Sequence, residues 1–226
     1  MLRKPRFSFF LSVILGCLMV FSDGWAENET QEVFTDIYAN KAWGTNAEGE
    51  GHSGGGSTLD STKPYRQFLQ KIFKVFQIRS VVDVGCGDWE FSKAMDWEGI
   101  DYYGYDVVES VIAKNNELYE NEHIHFIHAN GVEEDLLEAD LLICKDVLQH
   151  LSNEDILAFL EQAPKFKYCL ITNDTDIGGK NVNYQINRGE SRPLDLTEPP
   201  FSVKGIKVFH YGWDDQLIKQ VLLIIR

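Results

Sequence analysis

The chain has 226 residues, 44% of them apolar, enough for one domain with a sizeable core, and nothing in its composition is that of a disordered or fibrous protein. A formal net charge of −14 opposes binding to polyanions, so nucleic acid is not expected as a partner. Of the four cysteines, Cys17 stands near the N-terminus, while Cys86, Cys144 and Cys169 lie in or beside apolar runs and are not a disulfide framework.

Arg3, Lys4 and Arg6 precede an apolar run from Phe7 to Phe21, interrupted by Ser8, Ser12 and Gly16. The run falls short of the roughly 20 residues that cross a bilayer, and Gly24 and Ala26 have small-x-small spacing. Residues 1–26 are therefore expected to be a signal peptide, or else an uncleaved anchor, that engages secretion machinery or a membrane. Cys17 fits a lipoprotein site poorly, since the apolar run continues past it. The chain is expected to be exported or membrane-anchored. A cytoplasmic location is the alternative, and thiols in core positions suit a reducing compartment.

Residues 27–58 read as a polar linker and a glycine-rich lid. Val33, Phe34, Ile37 and Tyr38 have helical spacing, and a loop follows with Trp43 and six glycines between Gly44 and Gly56. This loop is equally readable as a flexible connection and as a cover over a site. The domain proper is expected over 59–226.

From Leu59 to Phe76 apolar residues recur at three and four, the period of an amphipathic helix, with Pro64 in its first turn. Strand-like runs then alternate with helical ones: 80–84 and 90–96, 100–105 and 108–119, 123–128 and 133–138, 139–144 and 153–163, and finally 168–172. Such alternation predicts a mostly parallel sheet covered on both faces. Residues 174–204 carry Gly178, Gly179, Pro193, Pro199 and Pro200 with little periodicity, a length of loop that is usually functional or disordered. The runs 206–211 and 216–225 are separated by only Gly212 to Asp215, too few residues for a crossover helix, so they predict an antiparallel hairpin. The expected class is α/β, a doubly wound, mostly parallel seven-stranded sheet ending in that hairpin.

The strongest motif is Val81-Val82-Asp83-Val84-Gly85-Cys86-Gly87-Asp88, a buried strand running into Gly-x-Gly and a predicted helix, where bare backbone lets a ligand approach. About 20 residues on, a second strand ends in Asp106, placed to accept hydrogen bonds from both hydroxyls of a ribose. A tight turn explains the glycines singly and a helix cap explains Asp106 singly, but together they point to a nucleoside.

From Leu59 to the C-terminus the sequence resembles the class I S-adenosylmethionine-dependent methyltransferases. The resemblance implies that S-adenosylmethionine is the cofactor, that Asp83, Gly85, Cys86 and Gly87 contact its methionine part, and that Asp106 with Val107 holds its ribose. Its adenine would lie near Asn130 and Gly131, where an amide replaces the commoner acid. The run Leu142 to Leu151 looks like the family's fourth strand and the loop beyond it, with Lys145, Asp146 and His150 facing cofactor and acceptor. Trp89 stands at the family's third glycine, so the methionine pocket is expected to be shaped differently. The glycine-rich lead-in at Ser53 to Ser57 and the late Arg192-Pro193-Leu194 also resemble a bacterial subgroup of the family.

Methyl transfer is an in-line displacement, so orientation is most of the enzyme's task. His150, titrating near neutrality, is the candidate base for a hydroxyl or amine acceptor, with an ordinary residue near a helix start as the competing reading. Asp146 would orient the acceptor, bind the cofactor's amino group, or cap a helix. Asn173, Asp174 and Asp176 either point into the crevice or simply make a turn. Trp43, Tyr184, Tyr211 and Trp213 are candidates for an acceptor pocket or for the core.

His123, His125 and His128 are not expected to make a metal site, because His128 faces away from the other two. The expected function is methylation of a small-molecule acceptor. The alternatives are an exported, non-enzymatic interaction protein on a degenerate fold and a nicotinamide-dependent oxidoreductase. The incomplete glycine motif and the terminal hairpin disfavour the oxidoreductase.

Overall fold

The computed structural model describes residues 23–176, 178, 182–212 and 217–226. Residues 1–22, which hold the apolar run of the expected leader, together with Gly179 and Trp213, lie outside the described residues. Helix α1 (Asp23–Ala39) begins inside the expected leader and runs through the expected linker. Among the described residues no helix is long and apolar enough to cross a membrane.

Seven strands form one sheet: β1 (Ser80–Val84), β2 (Asp101–Asp106), β3 (Ile124–His128), β4 (Leu141–Lys145), β5 (Tyr168–Asp176), β6 (Ile206–Gly212) and β7 (Leu217–Ile225). Their order is β3-β2-β1-β4-β5-β7-β6. The first five are parallel, and β7 runs antiparallel to both β5 and β6. The order reverses between β1 and β4, and in such sheets the crevice at the carboxyl ends of those strands is where ligands bind.

Alternation along the strands feeds two cores. Val82, Val84, Leu142 and Cys144 pack on one face with Phe34 of α1 and with Ile156 and Phe159 of α4 (Asn153–Leu160). Val81, Leu141 and Ile143 pack on the other with Tyr65, Leu69 and Phe73 of α2 (Lys63–Val75). A period of two through both strands makes a sheet that is buried on both sides. Cys86, Cys144 and Cys169 are free and buried. α3 (Glu109–Tyr119) follows β2, and α4 starts on a capping box between Ser152 and Asp155.

Two expected helices are absent, and each absence has a local cause. Over 90–96 there is only a 3₁₀ turn at Ser92–Ala94. Trp89, Phe91, Met95 and Trp97 are all buried, and their spacing would spread them around an α-helix instead of along one stripe. Over 133–138 four of the six residues are acidic, and the Gln162 side chain takes the place of helical bonds. Its oxygen accepts from Leu136 N–H (3.1 Å) and its amide donates to Glu134 O (2.7 Å).

The fifth strand is longer than expected. It pairs with β7 as far as Asp176↔Leu217, so Asn173, Asp174 and Asp176 belong to a strand and not to a turn.

Candidate active site

The crevice holds a cavity of about 700 Å³, counting its open mouth. Its floor is Val84, Gly85 and Gly87 after β1, Asp106 and Val107 at β2, Ala129 to Val132 after β3, and Lys145, Asp146, Val147 and His150 after β4. Its roof comes from the N-terminal segment: Thr30, Phe34 and Tyr38 of α1, then Trp43, Ser53 and Ser57 of the glycine-rich loop.

The segment expected as linker and lid is therefore packed over the crevice. Ser53 Oγ donates to Asp88 Oδ1 (2.7 Å), accepts from Asp88 N–H (3.0 Å) and lies 2.7 Å from Tyr38 Oη. Gly56 O accepts from Lys145 Nζ at 3.0 Å.

Both motif glycines have left-handed backbone, φ 72° at Gly85 and 55° at Gly87. The space they leave is filled by protein. A Cβ at Gly85 would stand 2.2 Å from Val147 Cγ2, and one at Gly87 2.2 Å from Ser53 Oγ. Expected as clearance for a ligand, these glycines also admit the loop after β4 and the lid. Asn115 of α3, which has no sequence signal of its own, steadies the turn by donating to Gly87 O at 2.8 Å.

Asp106 closes β2 with one oxygen accepting from Gly87 N–H and the other from Val108 N–H, both at 3.0 Å. It lines the cavity, is 9% exposed and has no cationic partner among the described residues, so burial raises its pKa. Asn130 Oδ1 accepts from Val132 N–H (3.2 Å), and Gly131 lies against Val84.

Asp83 and Cys86, expected to contact the cofactor, do not line the cavity. Asp83 points to the opposite face of the sheet, where Tyr102 Oη donates to it at 2.8 Å and burial pushes its pKa up to about 7. Cys86 Sγ packs beneath Gly104. Trp89, expected to give the methionine pocket a different shape, turns left-handed (φ 56°) and joins Trp97, Tyr102, Tyr119 and Phe126 in the same core.

At the tip of β4, Lys145 Nζ meets Asp146 Oδ2 at 2.5 Å and lies 5.3 Å from the Phe91 ring. Asp146 has left-handed backbone (φ 60°), and its other oxygen meets Lys219 Nζ of β7 at 2.9 Å. Lys219 also pairs with Asp174 at 2.8 Å. Burial alone would raise the Asp146 pKa, but the two ammoniums outweigh it and hold the carboxyl below its ordinary range. Burial lowers the Lys145 pKa.

His150 lines the cavity beside Trp43, with ring centroids 5.1 Å apart. Its Nδ1 is 2.9 Å from Glu190 O, and a carbonyl only accepts, so the proton is on Nδ1 and Nε2 carries the lone pair. Burial holds the imidazole below its ordinary pKa.

Of the four candidate pocket aromatics, Trp43 lines the cavity, Tyr184 is half exposed and Tyr211 is buried against Tyr65. The histidines of β3 lie on an edge strand, and among the described residues no group of three or more His, Cys, Asp or Glu is placed to hold a metal.

Residues 58–166 match a family model described as a methyltransferase domain. No curated protein matches the chain in sequence. Among solved structures it is similar to the 1,6-didemethyltoxoflavin-N1-methyltransferase of Burkholderia thailandensis, with TM-score 0.64, 14% identity and 90% of each chain covered. It is also similar to the magnesium protoporphyrin IX methyltransferase of Synechocystis PCC 6803, with TM-score 0.55, 15% identity, and 87% of this chain and 97% of that one covered. Human N-acetylserotonin methyltransferase gives 0.52 at 16% identity, covering 84% of this chain and 58% of that one. At such identities the likeness is one of fold. Residues 58–166 are thus similar to a methyltransferase domain, and they lie on a sheet with the class I methyltransferase fold.

Proposed function

We propose that the chain binds S-adenosylmethionine in the roofed cavity and methylates a small-molecule acceptor, with His150 as general base. The observation that carries this reading is Asp106, a buried carboxylate in the cavity wall whose partners among the described residues are backbone N–H groups. A ribose diol supplies the further donors such a group needs. Gly85 and Gly87 offer bare backbone beside it, and Asn130 with Gly131 closes the adenine end.

A dinucleotide fits less well. Its pyrophosphate needs a helix N-terminus after the glycines, and the chain forms only a 3₁₀ turn there. The small-molecule reading is supported by a roof that covers the cavity and by the acceptor bound in the Burkholderia enzyme, 1,6-didemethyltoxoflavin.

When bound, S-adenosylmethionine supplies an electrophilic methyl group on a sulfonium. The protein's part is to hold the acceptor in line and to receive its proton. His150 Nε2 takes the proton of an acceptor O–H or N–H, and Nδ1–H stays on Glu190 O. Asp146, held between two lysines, is a poor base and serves better to orient the acceptor.

Calorimetry tests this reading. S-adenosylmethionine and S-adenosylhomocysteine are expected to bind and NAD is not. Asp106→Ala should weaken binding by roughly tenfold or more, as for loss of hydrogen bonds to a charged group. Binding of NAD in their place would overturn it. The N-terminal 26 residues are proposed to direct export or anchoring, which N-terminal sequencing of fractionated native protein tests.

A further inference from the structure

Among the described residues Arg192 is the largest fully buried side chain, and no carboxylate pairs with it there. Its guanidinium donates to Gln149 O (3.3 Å), Leu151 O (2.8 Å) and Asn153 Oδ1 (2.8 Å), and its backbone N–H to Gln149 O (3.2 Å). A buried cation held by neutral acceptors is costly, and an apolar residue would fill the same space without that cost.

What the arrangement achieves is local. Residues 149 and 151 flank His150, Gly189 N–H donates to His150 O at 2.9 Å, and Glu190 O faces His150 Nδ1. The segment 189–192 thus brackets the turn that carries the imidazole. The other groups facing the ring are Trp43, the Gln149 amide 3.5 Å from Nε2, and the charges of Asp146, Asp174 and Lys219.

We propose that Arg192 is a positioning residue. By pinning the carbonyls on either side of His150, it keeps Nδ1 on the Glu190 carbonyl and so selects the tautomer whose Nε2 accepts a proton. This rests on the reading of His150 as the base. Lysine cannot replace the guanidinium, because one ammonium does not span three acceptors held by a planar fork.

The test is ¹⁵N NMR of the histidine side chains in the full chain, alone and with S-adenosylhomocysteine. In the parent, His150 should be protonated on Nδ1. In Arg192→Lys the population should shift several-fold toward the Nε2-protonated form that free imidazole favours, with the S-adenosylhomocysteine Kd changed by no more than about two-fold. Should Arg192→Lys fail to fold, Asn153→Ala decides, since it removes one of the three acceptors and should give a smaller shift of the same sign. A parent protonated on Nε2 would overturn the proposal. So would variants that lose thermal stability but keep the parent tautomer, which is what a purely structural Arg192 predicts. Loss of adenosyl binding with the tautomer intact would count against the cofactor reading and leave this one standing.

Discussion

At the scale of single residues, His150 and Gly87 carry the sharpest consequences. Burial holds the His150 imidazole below its ordinary value, so it is neutral at pH 7 and able to accept a proton. Methylation should therefore rise with pH through a pKa under about 6.5 and level off by neutrality. His150→Ala should lower kcat about 10²- to 10⁴-fold without changing S-adenosylhomocysteine affinity, and a rate that falls between pH 6 and 8 would exclude the assignment. Gly87 is constrained twice, by its left-handed backbone and by Ser53 Oγ 2.2 Å from where a Cβ would stand. Gly87→Ala should displace the lid and weaken cofactor binding, and adding Ser53→Gly should restore part of the loss. Calorimetry that shows no recovery would mean that backbone strain alone is responsible.

At the scale of elements, β7 matters because it brings Lys219 between Asp146 of the β4 tip and Asp174 of β5. Lys219→Met leaves two buried carboxylates without that counter-charge, and breaking such a pair costs about 3–5 kcal/mol, readable as a lower urea midpoint at pH 7. The Asp146 pKa is depressed in the folded protein, so its contribution is present above the unfolded value and is lost as pH falls through the folded one. The gap between variant and parent should therefore narrow in acid, and a gap independent of pH would mean that packing, not charge, was lost. This contact also marks the limit of what the sequence discloses. Strands announced themselves by period, and Gly85, Gly87 and Asp106 by spacing along adjacent strands, because those signals are local. Lys219 sits in a plain strand pattern, Ser53 among glycines and Arg192 in an aperiodic stretch, so they reach the site only through tertiary folding. The same gap explains the two misread helices, where Trp89 and its neighbours answered to an aromatic core, and residues 133–138 to the Gln162 side chain.

At the scale of the whole molecule, stability against pH combines two opposed sets of carboxyls. Asp146, Asp155 and Asp195 are each subject to burial, yet Lys145 and Lys219, Arg188 and Lys207 respectively hold them below their ordinary range. These stabilise the fold above their unfolded values and release that stability in acid. Asp83 does the reverse. Burial under the aromatic cluster pushes it up to about 7, against a Tyr102 hydrogen bond and the Lys145 charge that favour its ionised form. Between about pH 4 and 7 the folded chain thus keeps a proton that the unfolded chain has lost, so this group's contribution falls as pH rises, by up to ~4 kcal/mol. The parent should accordingly be most stable in mildly acid solution, and Asp83→Asn, which still accepts from Tyr102 and cannot ionise, should keep its stability on toward pH 8. Urea midpoints taken at pH 5 and pH 8 decide the matter. The variant's advantage should be large at the higher pH and well under half as large at the lower, and superimposable profiles would mean that Asp83 ionises at little cost despite its cover.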